Sequence, residues 1–336
     1  MDYITDTIPY PRYKSRAFDL YFGGMELGAL DIETTGLSPQ RSQFILGGLL
    51  HAEKDCLVSR QFFACDLTQE QETLCAYLKA VNEKDVLLTY NGHRFDLPFM
   101  QGRAKEDCAF PFELDLYRLL KGYSPIRKLL PNLKQKTVES FMGLWEHRKD
   151  EISGKESVEL YYQYLAQKDP ALKEKILLHN HDDLFQLYRL LPVLEKTDLH
   201  HGMFDLGFPV KPADIRLPHL TADRITVGSD TLRISGRQYK NPADYRCYEW
   251  EGVPCSSFFC KKEKNFSISV PLIRQSGFVL ADLKTLDMDI SPFSKYPSCQ
   301  EGFLILKKDK EYNYLEINHF VKQITERILN QWITKK

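Results

Sequence analysis

The stretch GALDIETTGL, Gly28–Leu37, decides how the first half of this chain is expected to fold. It is a short apolar run, typical of a buried strand, yet it carries Asp31 and Glu33 and ends in turn residues. Side chains alternate across a strand, so both carboxylates share one face and repel each other unless a positive charge lies between them. A divalent cation would supply that charge, and an all-oxygen site favours Mg²⁺ or Mn²⁺ over Zn²⁺. The alternative is a pair of solvated acids at a strand end.

The segments around this stretch predict a mixed sheet. Apolar runs at Met25–Glu33, Gln43–Leu50 and Cys56–Ala64 predict three successive antiparallel strands. A helix with Thr68 as its N-cap follows, and then a short strand, Asp85–Tyr90, and a helix from Phe95. This order predicts an α/β fold in which three antiparallel strands are followed by a helix crossover to parallel strands, with helices packed on the sheet.

The remainder of the chain divides into a helical part and a β-rich part. Helices are expected near residues 115–121, 132–142, 156–167 and 172–196, with Pro192 kinking or ending the last one. After residue 201 we expect a hairpin at Arg224–Arg237, strands at Asn265–Val270 and Gly302–Leu306, and a final helix at Asn318–Trp332. A boundary near residues 200–210 therefore predicts two domains, residues 1–201 and a smaller β-rich accessory domain, residues 202–336.

Composition excludes several classes of protein. The 336 residues are 43% hydrophobic and 27% charged, as in folded globular proteins, and no apolar run approaches the roughly 18 residues of a membrane span. The N-terminus lacks the apolar core of a secretory signal, and eight scattered cysteines fit reduced thiols, so a cytoplasmic protein without membrane contacts is expected. Residues 202–336 carry 20 basic and 16 acidic side chains, although the net charge of the chain is -1. A polyanionic partner must therefore be bound through local patches or bound cations.

Two further motifs carry candidate functional side chains. NGHRFD, Asn91–Asp96, follows the fourth predicted strand and places Asp96 near the start of a helix, where its carboxylate either faces the sheet edge or only caps the helix. HNHDD, His179–Asp183, lies in a helical region, where His179 and Asp183 share a face because they are four residues apart. One of them could orient a water molecule while the other holds a metal ion.

Taken together, the three motifs resemble those of the DEDD exonucleases in the ribonuclease H-like superfamily. DIETTG is similar to the first exonuclease motif, NGHRFD to the second and HNHDD to the third, and Glu113–Leu116 adds to a likeness with the bacterial YprB-type ribonuclease H-like domain. The resemblance covers roughly residues 20–197 and leaves the remainder undescribed. One departure is the third motif, where His179 stands at the spacing of the tyrosine branch, with three residues before Asp183.

This resemblance implies a 3′–5′ exonuclease that cleaves DNA or RNA by a two-metal mechanism. Asp31, Glu33, Asp96 and Asp183 would hold two Mg²⁺ or Mn²⁺ ions, and Glu33 would also serve catalysis by holding the ion that activates water. His179 would act as the general base or orient the water. A nucleic-acid 3′ end is the implied substrate, and a helicase or other DNA-repair protein is the implied partner.

Expected substrate contacts are Thr34, Asn91 and Lys128. Lys128 belongs to a basic stretch that could bind phosphates or could equally be a solvated helix face. Its members are Lys121, Arg127, Lys128, Lys134 and Lys136. Two other functions stay open at this point: a nucleic-acid binding or scaffold protein with a weak or inactive nuclease fold, and a structure-specific endonuclease.

Overall fold

The computed structural model describes residues 1–105, 108–144, 148–149, 152–250 and 252–334, with side chains through residue 330. The chain divides into two compact units, Met1–Thr197 (unit 1) and Asp198–Lys336 (unit 2), and each is described by itself.

Unit 1 is built on a mixed sheet of six strands, in the order β1-β4-β3-β2-β5-β6. The strands are Asp2–Pro9 (β1), Leu27–Thr34 (β2), Phe44–Glu53 (β3), Cys56–Phe63 (β4), Val86–Thr89 (β5) and Phe112–Asp115 (β6). β2, β3 and β4 pair antiparallel, whereas β5 runs parallel to β2 and β6 parallel to β5. The predicted fold class, antiparallel strands followed by parallel ones, is confirmed.

Two strands of this sheet have no counterpart in the sequence-based expectation. β1 pairs along its whole length with β4 at the sheet edge, and most of its side chains are exposed, so its apolar signal is weak. β6 has only four residues and runs directly into α4, at the start of the helix expected near residues 115–121, so its strand signal is short.

Helices cover both faces of the sheet. They are Arg16–Phe22 (α1), Glu70–Asn82 (α2), Asp96–Arg103 (α3), Leu116–Tyr123 (α4), Gln135–Phe141 (α5), Gly154–Gln167 (α6) and Pro170–Arg189 (α7). α2 and α3 pack on one face around Leu30, Ile32 and Tyr77. α6 and α7 pack on the other face around Leu46, Tyr161 and similar side chains.

Helix ends follow the sequence in most places. α7 ends before a 3-10 turn, Leu191–Lys196, which contains Pro192, as predicted. The expectation for the start of the second helix was wrong. Asp66, not Thr68, is the capping residue: its carboxylate accepts the Thr68 N–H and opens a 3-10 turn, Leu67–Gln69, before α2 begins.

Unit 2 contains the expected β-rich sheets. Its larger sheet has the order β10-β11-β12-β9-β8-β7. The strands are Phe208–Val210 (β7), His219–Val227 (β8), Thr231–Lys240 (β9), Tyr245–Cys247 (β10), Ser256–Cys260 (β11) and Asn265–Pro271 (β12). The hairpin expected at Arg224–Arg237 is the β8–β9 pair.

A second sheet and two helices complete unit 2. The sheet comprises Ile273–Gln275 (β13), Phe278–Asp282 (β14), Cys299–Gln300 (β15), Phe303–Lys308 (β16) and Glu311–Tyr312 (β17). Helices Leu199–Leu206 (α8) and Tyr314–Thr334 (α9) pack together. Every helix within the described ranges is too short or too polar to cross a lipid bilayer.

Candidate active site

β2 supplies the first two acids of the site. Leu30 and Ile32 belong to the core shared with α2, so alternation turns Asp31 and Glu33 to the face covered by α7. Glu33 is 7% exposed. Both side chains line a cleft of about 800 Å³ in unit 1.

The turn after β5 supplies the third acid. Asn91 adopts a left-handed backbone (φ 64°) that makes the turn tight, and Asp96 then lies in the first turn of α3. The Asp96 carboxylate does not simply cap its own helix, because its Oδ1 accepts the N–H of Ile32 at 3.3 Å. Ile32 is the residue between Asp31 and Glu33, so Asp96 is held against this part of β2. Asp96 therefore lies at the start of a helix with its carboxylate against the sheet, the first of the two arrangements that the sequence allows.

α7 brings the third motif to the same place. His179 Nε2 lies 3.8 Å from Glu33 Oε1 and 3.7 Å from Asp183 Oδ2, so one helix face presents both side chains to β2. Asp182 points away, and its carboxylate accepts the N–H of Lys149. The expected pairing of His179 with Asp183 is present in the geometry.

Asn180 joins α7 to β2 and β4 by hydrogen bonds. Its Nδ2 donates to Asp31 Oδ2 at 2.9 Å, and its Oδ1 accepts from Gln61 Nε2 at 2.9 Å. Gly48 of β3 pairs directly with Asp31, and a Cβ atom at Gly48 would lie 2.1 Å from Asn180 Oδ1. The glycine is therefore required for the close approach of the helix to the sheet.

Burial raises the pKa values of three acids at the site. Burial raises the pKa of Asp31 well above its usual range, and repulsion from Asp183, Glu33 and Asp96 adds to the effect. Burial also raises the pKa of Glu33 to about 7, partly opposed by His179. Burial raises the pKa of Asp96 to about 7, against the N–H donors that lower it. Burial thus makes the ionised form of each of these three carboxyls costly.

Arg148 is an additional charged residue at the site. Its guanidinium makes a forked contact with Glu139 of α5, at 2.7 Å and 2.8 Å, and its Nη2 also lies 2.5 Å from Asp183 Oδ1. Glu139 is fully buried and the Arg148 side chain is 3% exposed. Asp183 is therefore held between an imidazole and a guanidinium.

The cleft rim has apolar and basic parts. Leu37, in the loop after β2, is 85% exposed although it lines the cleft, and Phe95 lines it as well. Lys134, Lys136 and Lys155 also line the cleft. Bases could pack on the apolar part and phosphates could contact the lysines.

The predicted site residues do not all lie together. Asp31, Glu33, Thr34, His179 and Asp183 line the cleft, and Asp96 contacts β2 beside it. The Thr34 hydroxyl donates to the carbonyl of Gly36 and so shapes the loop.

Asn91 and Lys128 lie elsewhere. Among the described residues, neither belongs to the lining of the cleft. The Asn91 N–H donates to Asp115 Oδ1, and Lys128 ends the 3-10 turn Pro125–Lys128. Of the basic stretch, Lys134 and Lys136 are the members that reach the cleft.

The donor set fits hard divalent cations. Asp31, Glu33 and Asp96 offer oxygen atoms only, and a bound cation would stabilise the ionised carboxylates that burial disfavours. Within the ranges that the structure describes, no three His, Cys, Asp or Glu side chains are arranged as a ready-made metal site. Asp183 in particular directs one carboxylate oxygen at Arg148.

Comparison with known proteins agrees with this architecture. Residues 29–194 match the RNase_H superfamily. The strand order and directions of unit 1, with helices on both faces, are those of an RNase H-like fold. No curated protein is similar enough to this chain to count as a match.

Two solved structures show a distant likeness to this chain. A family B DNA polymerase from the hyperthermophilic archaeon Pyrobaculum calidifontis is 18% identical, with a TM-score of 0.41, over 54% of this chain and 26% of the polymerase. E. coli exonuclease I in complex with a dA16 oligonucleotide is 12% identical, with a TM-score of 0.28, over 63% of this chain and 54% of the exonuclease. This chain thus spans about a quarter of the polymerase (26%) and about half of the exonuclease (54%), and at these TM-scores neither likeness bears on function.

Proposed function

We propose that this protein is a metal-dependent 3′–5′ exonuclease of the DEDD branch, with a YprB-like nuclease domain, that hydrolyses phosphodiester bonds in DNA or RNA. The observation that carries the proposal is the convergence of three distant segments of the chain: Asp31, Glu33 and Asp183 line one cleft, and Asp96 contacts β2 beside it. Mutually repelling buried carboxylates cost stability, so a functional reason for them is favoured over a structural one.

The four carboxylates would hold two Mg²⁺ or Mn²⁺ ions. Asp31 and Glu33 share one face of β2, and Asp96 is hydrogen-bonded to the same strand. Asp183 would join them if its Oδ1 contacted a cation in place of the Arg148 guanidinium. The chemistry that such cations supply is polarisation of the phosphate and activation of water.

The protein's own groups would divide the other tasks. Water attacks phosphorus, the bond to the 3′ oxygen of the preceding nucleotide breaks, that oxygen takes a proton from solvent to become a 3′-hydroxyl, and a nucleoside 5′-monophosphate leaves. His179 would accept the proton of the water, because a neutral imidazole nitrogen is a general base and His179 lines the cleft between Glu33 and Asp183. Asn180 would keep Asp31 in position through its 2.9 Å hydrogen bond. Leu37 and the cleft lysines would contact the substrate end.

A single-strand cleavage assay tests this proposal. The full-length protein is incubated with a 5′-labelled DNA or RNA strand and Mg²⁺, and the products are resolved by length. A descending ladder is expected. Internal fragments from the earliest times would favour an endonuclease, and retained binding without products would favour a scaffold protein; either outcome contradicts the proposal.

Asp31→Asn provides the decisive variant. The substitution keeps the shape of the side chain but removes its charge, and cleavage should fall by at least about 100-fold. Asp289→Asn is the matched control, because Asp287-Met288-Asp289 has a similar spacing of acids in unit 2, where Asp289 is held by Ser291. Its activity should equal that of the wild type.

The partner and the cellular location of the protein belong to the same proposal. A helicase or other repair protein as partner, and a cytoplasmic location, remain predictions. Co-purification of a tagged full-length chain with a helicase would support the first of these.

A further inference from the structure

The larger sheet of unit 2 has one face that is free of the core. Leu232, Ile234 and Phe266 point inward and are buried, so the alternate residues of the same strands point outward. Strand pairing sets the outward residues in a row across five neighbouring strands, a width of about 19 Å at the usual strand spacing. The row is Arg246, Phe258, Ser267, Ser235 and Arg224.

This outward face is basic. Arg233 lies two residues before Ser235 on β9, and Arg237 lies two residues after it, so both share the face. Arg237 pairs with Asp223 at 2.9 Å. By contrast, Arg224, Arg233 and Arg246 are exposed and have no ion-pair partner among the residues that the structure describes.

Two carboxylates lie near this face among the residues that the structure describes, and Asp244 lines the same hollow as Arg246. Asp223 is taken up by Arg237, and Asp244 accepts the backbone N–H of Lys261 at 2.8 Å. Three arginines thus remain available to an anionic ligand, and their fork geometry suits phosphate.

Two aromatic rings stand beside Arg246, on the same face as Arg224 and Arg233. Tyr248 is 69% exposed and Phe258 is 37% exposed, and their ring centroids lie 5.3 Å apart at 78°. Both line a shallow hollow of about 540 Å³, together with Arg246 and the small side chains Ser235 and Ser267. The serines leave room above the sheet, so a flat group could lie against the rings.

We propose that this outward face, defined by Arg224, Arg233, Arg246, Tyr248 and Phe258, binds single-stranded nucleic acid. Phosphates would pair with the arginines and bases would stack on the two rings, the combination by which strands are bound without sequence preference. An unpaired strand is favoured over a duplex because the bases of a duplex are already stacked on one another. It is favoured over a protein partner because the centre of the face carries serines rather than aliphatic side chains. The proposal does not depend on nuclease activity.

Fluorescence anisotropy provides the test. Full-length Asp31→Asn protein is titrated without divalent cations against labelled oligo-dT, oligo-rU and a DNA duplex. The double variant Tyr248→Ala, Phe258→Ala should weaken strand binding at least about 10-fold. Phe258→Tyr, which keeps a ring, should bind like the parent protein and controls for folding.

Salt dependence tests the arginines separately. Replacing Arg224, Arg233 and Arg246 with Gln should lower the slope of log K against log salt by about 2 for a single strand. Arg274→Gln is the matched control, because Arg274 is exposed on β13 of the other sheet. It should leave both the affinity and the slope unchanged.

Crosslinking locates the bound strand. An oligonucleotide containing 5-iodouracil should crosslink to peptides that contain Tyr248 or Phe258. The proposal is overturned if the aromatic and arginine variants bind strands like the parent protein, if the duplex binds as tightly as the single strands, or if crosslinks map only to unit 1. Failure of cleavage with these binding results intact would count against the proposed nuclease activity alone.

Discussion

In both the cleft of unit 1 and the outward sheet face of unit 2, alternation along a strand places like charges on one face. The charges are negative in the cleft and positive on the sheet face. In the cleft, Asp31 and Glu33 face a packed helix, and burial and mutual repulsion raise their pKa values. On the sheet face, Arg224 and Arg233 stand in solvent, where an unpaired charge costs little. A buried cluster of like charges destabilises the fold, so its presence by itself indicates a function. An exposed cluster costs little, so its function has to be inferred from the side chains around it. The following predictions test that contrast, from the largest effect to the smallest.

Arg148→Met should have the largest effect on stability. It leaves the fully buried Glu139 without its guanidinium partner, and breaking such a buried pair costs about 3–5 kcal/mol. Urea unfolding of the full-length chain measures the change. The double variant Glu139→Gln, Arg148→Met should regain much of the loss, because no unpaired charge remains. Arg216→Met, which removes an exposed pair with Asp214, is the control and should leave stability unaltered. Equal effects of Arg148→Met and Arg216→Met would contradict the buried network.

Gly48→Ala should affect the cleft through packing alone. The added methyl group would clash with Asn180 and Leu184 of α7, and such overpacking costs about 2–3 kcal/mol. Displacement of α7 also moves His179 and Asp183, so cleavage should fall by about 10- to 100-fold. Gly122→Ala is matched to it, because nothing lies within 4 Å of a Cβ atom at Gly122. If Gly48→Ala were as active as Gly122→Ala, the close approach of α7 to β3 would not be needed for cleavage.

These packing details also show what the sequence could and could not reveal. D-x-E in a strand, and His179 four residues before Asp183, predict shared faces because periodicity is a local property. Arg148 carries no such signal: its contacts with Glu139 and Asp183 depend on how separate segments fold together. Asn180 and Gly48 were visible as residue types, yet their roles follow from the distance between α7 and β3. Asn91 begins the second motif and Lys128 lies beyond it in sequence, but neither belongs to the described lining of the cleft, because lining depends on how the segments fold together.

Without divalent cations, unit 1 should lose stability as pH rises. Glu33 and Asp96 have folded-state pKa values raised to about 7, so the folded chain holds protons that the unfolded chain releases above about pH 4. Stability is fully present below the unfolded pKa values and is lost as pH rises through about 7, by on the order of 2 kcal/mol. Hydrogen exchange of β2 and α7 peptides in EDTA, corrected for intrinsic rates, measures this. Asp96→Asn should reduce the dependence, and an unchanged pH profile would argue against coupled acids.

Unit 2 should respond to pH in the opposite direction and more weakly. Burial, together with repulsion from Lys295 and Lys322, lowers the pKa of His319 to about 4, and Tyr296 Oη lies 3.0 Å from its Nδ1. The folded chain keeps this imidazole neutral, whereas the unfolded chain binds a proton below about 6.5, so stability falls with pH below that value, by on the order of 1 kcal/mol. Exchange of α9 peptides between pH 7 and pH 5 reports the change. His319→Gln should abolish it, and the same slope in that variant would assign the effect to another group.

Manganese binding tests the central claim most directly, because it asks whether the four carboxylates of the cleft act together on cations. Mn²⁺ is titrated into the full-length protein and the free ion is followed by electron paramagnetic resonance. The account predicts about two bound ions per chain in the wild type and loss of at least one in Asp31→Asn, with Asp289→Asn unchanged. A wild-type chain that binds no Mn²⁺, or an Asp31→Asn chain that binds as many ions as the wild type, would contradict it.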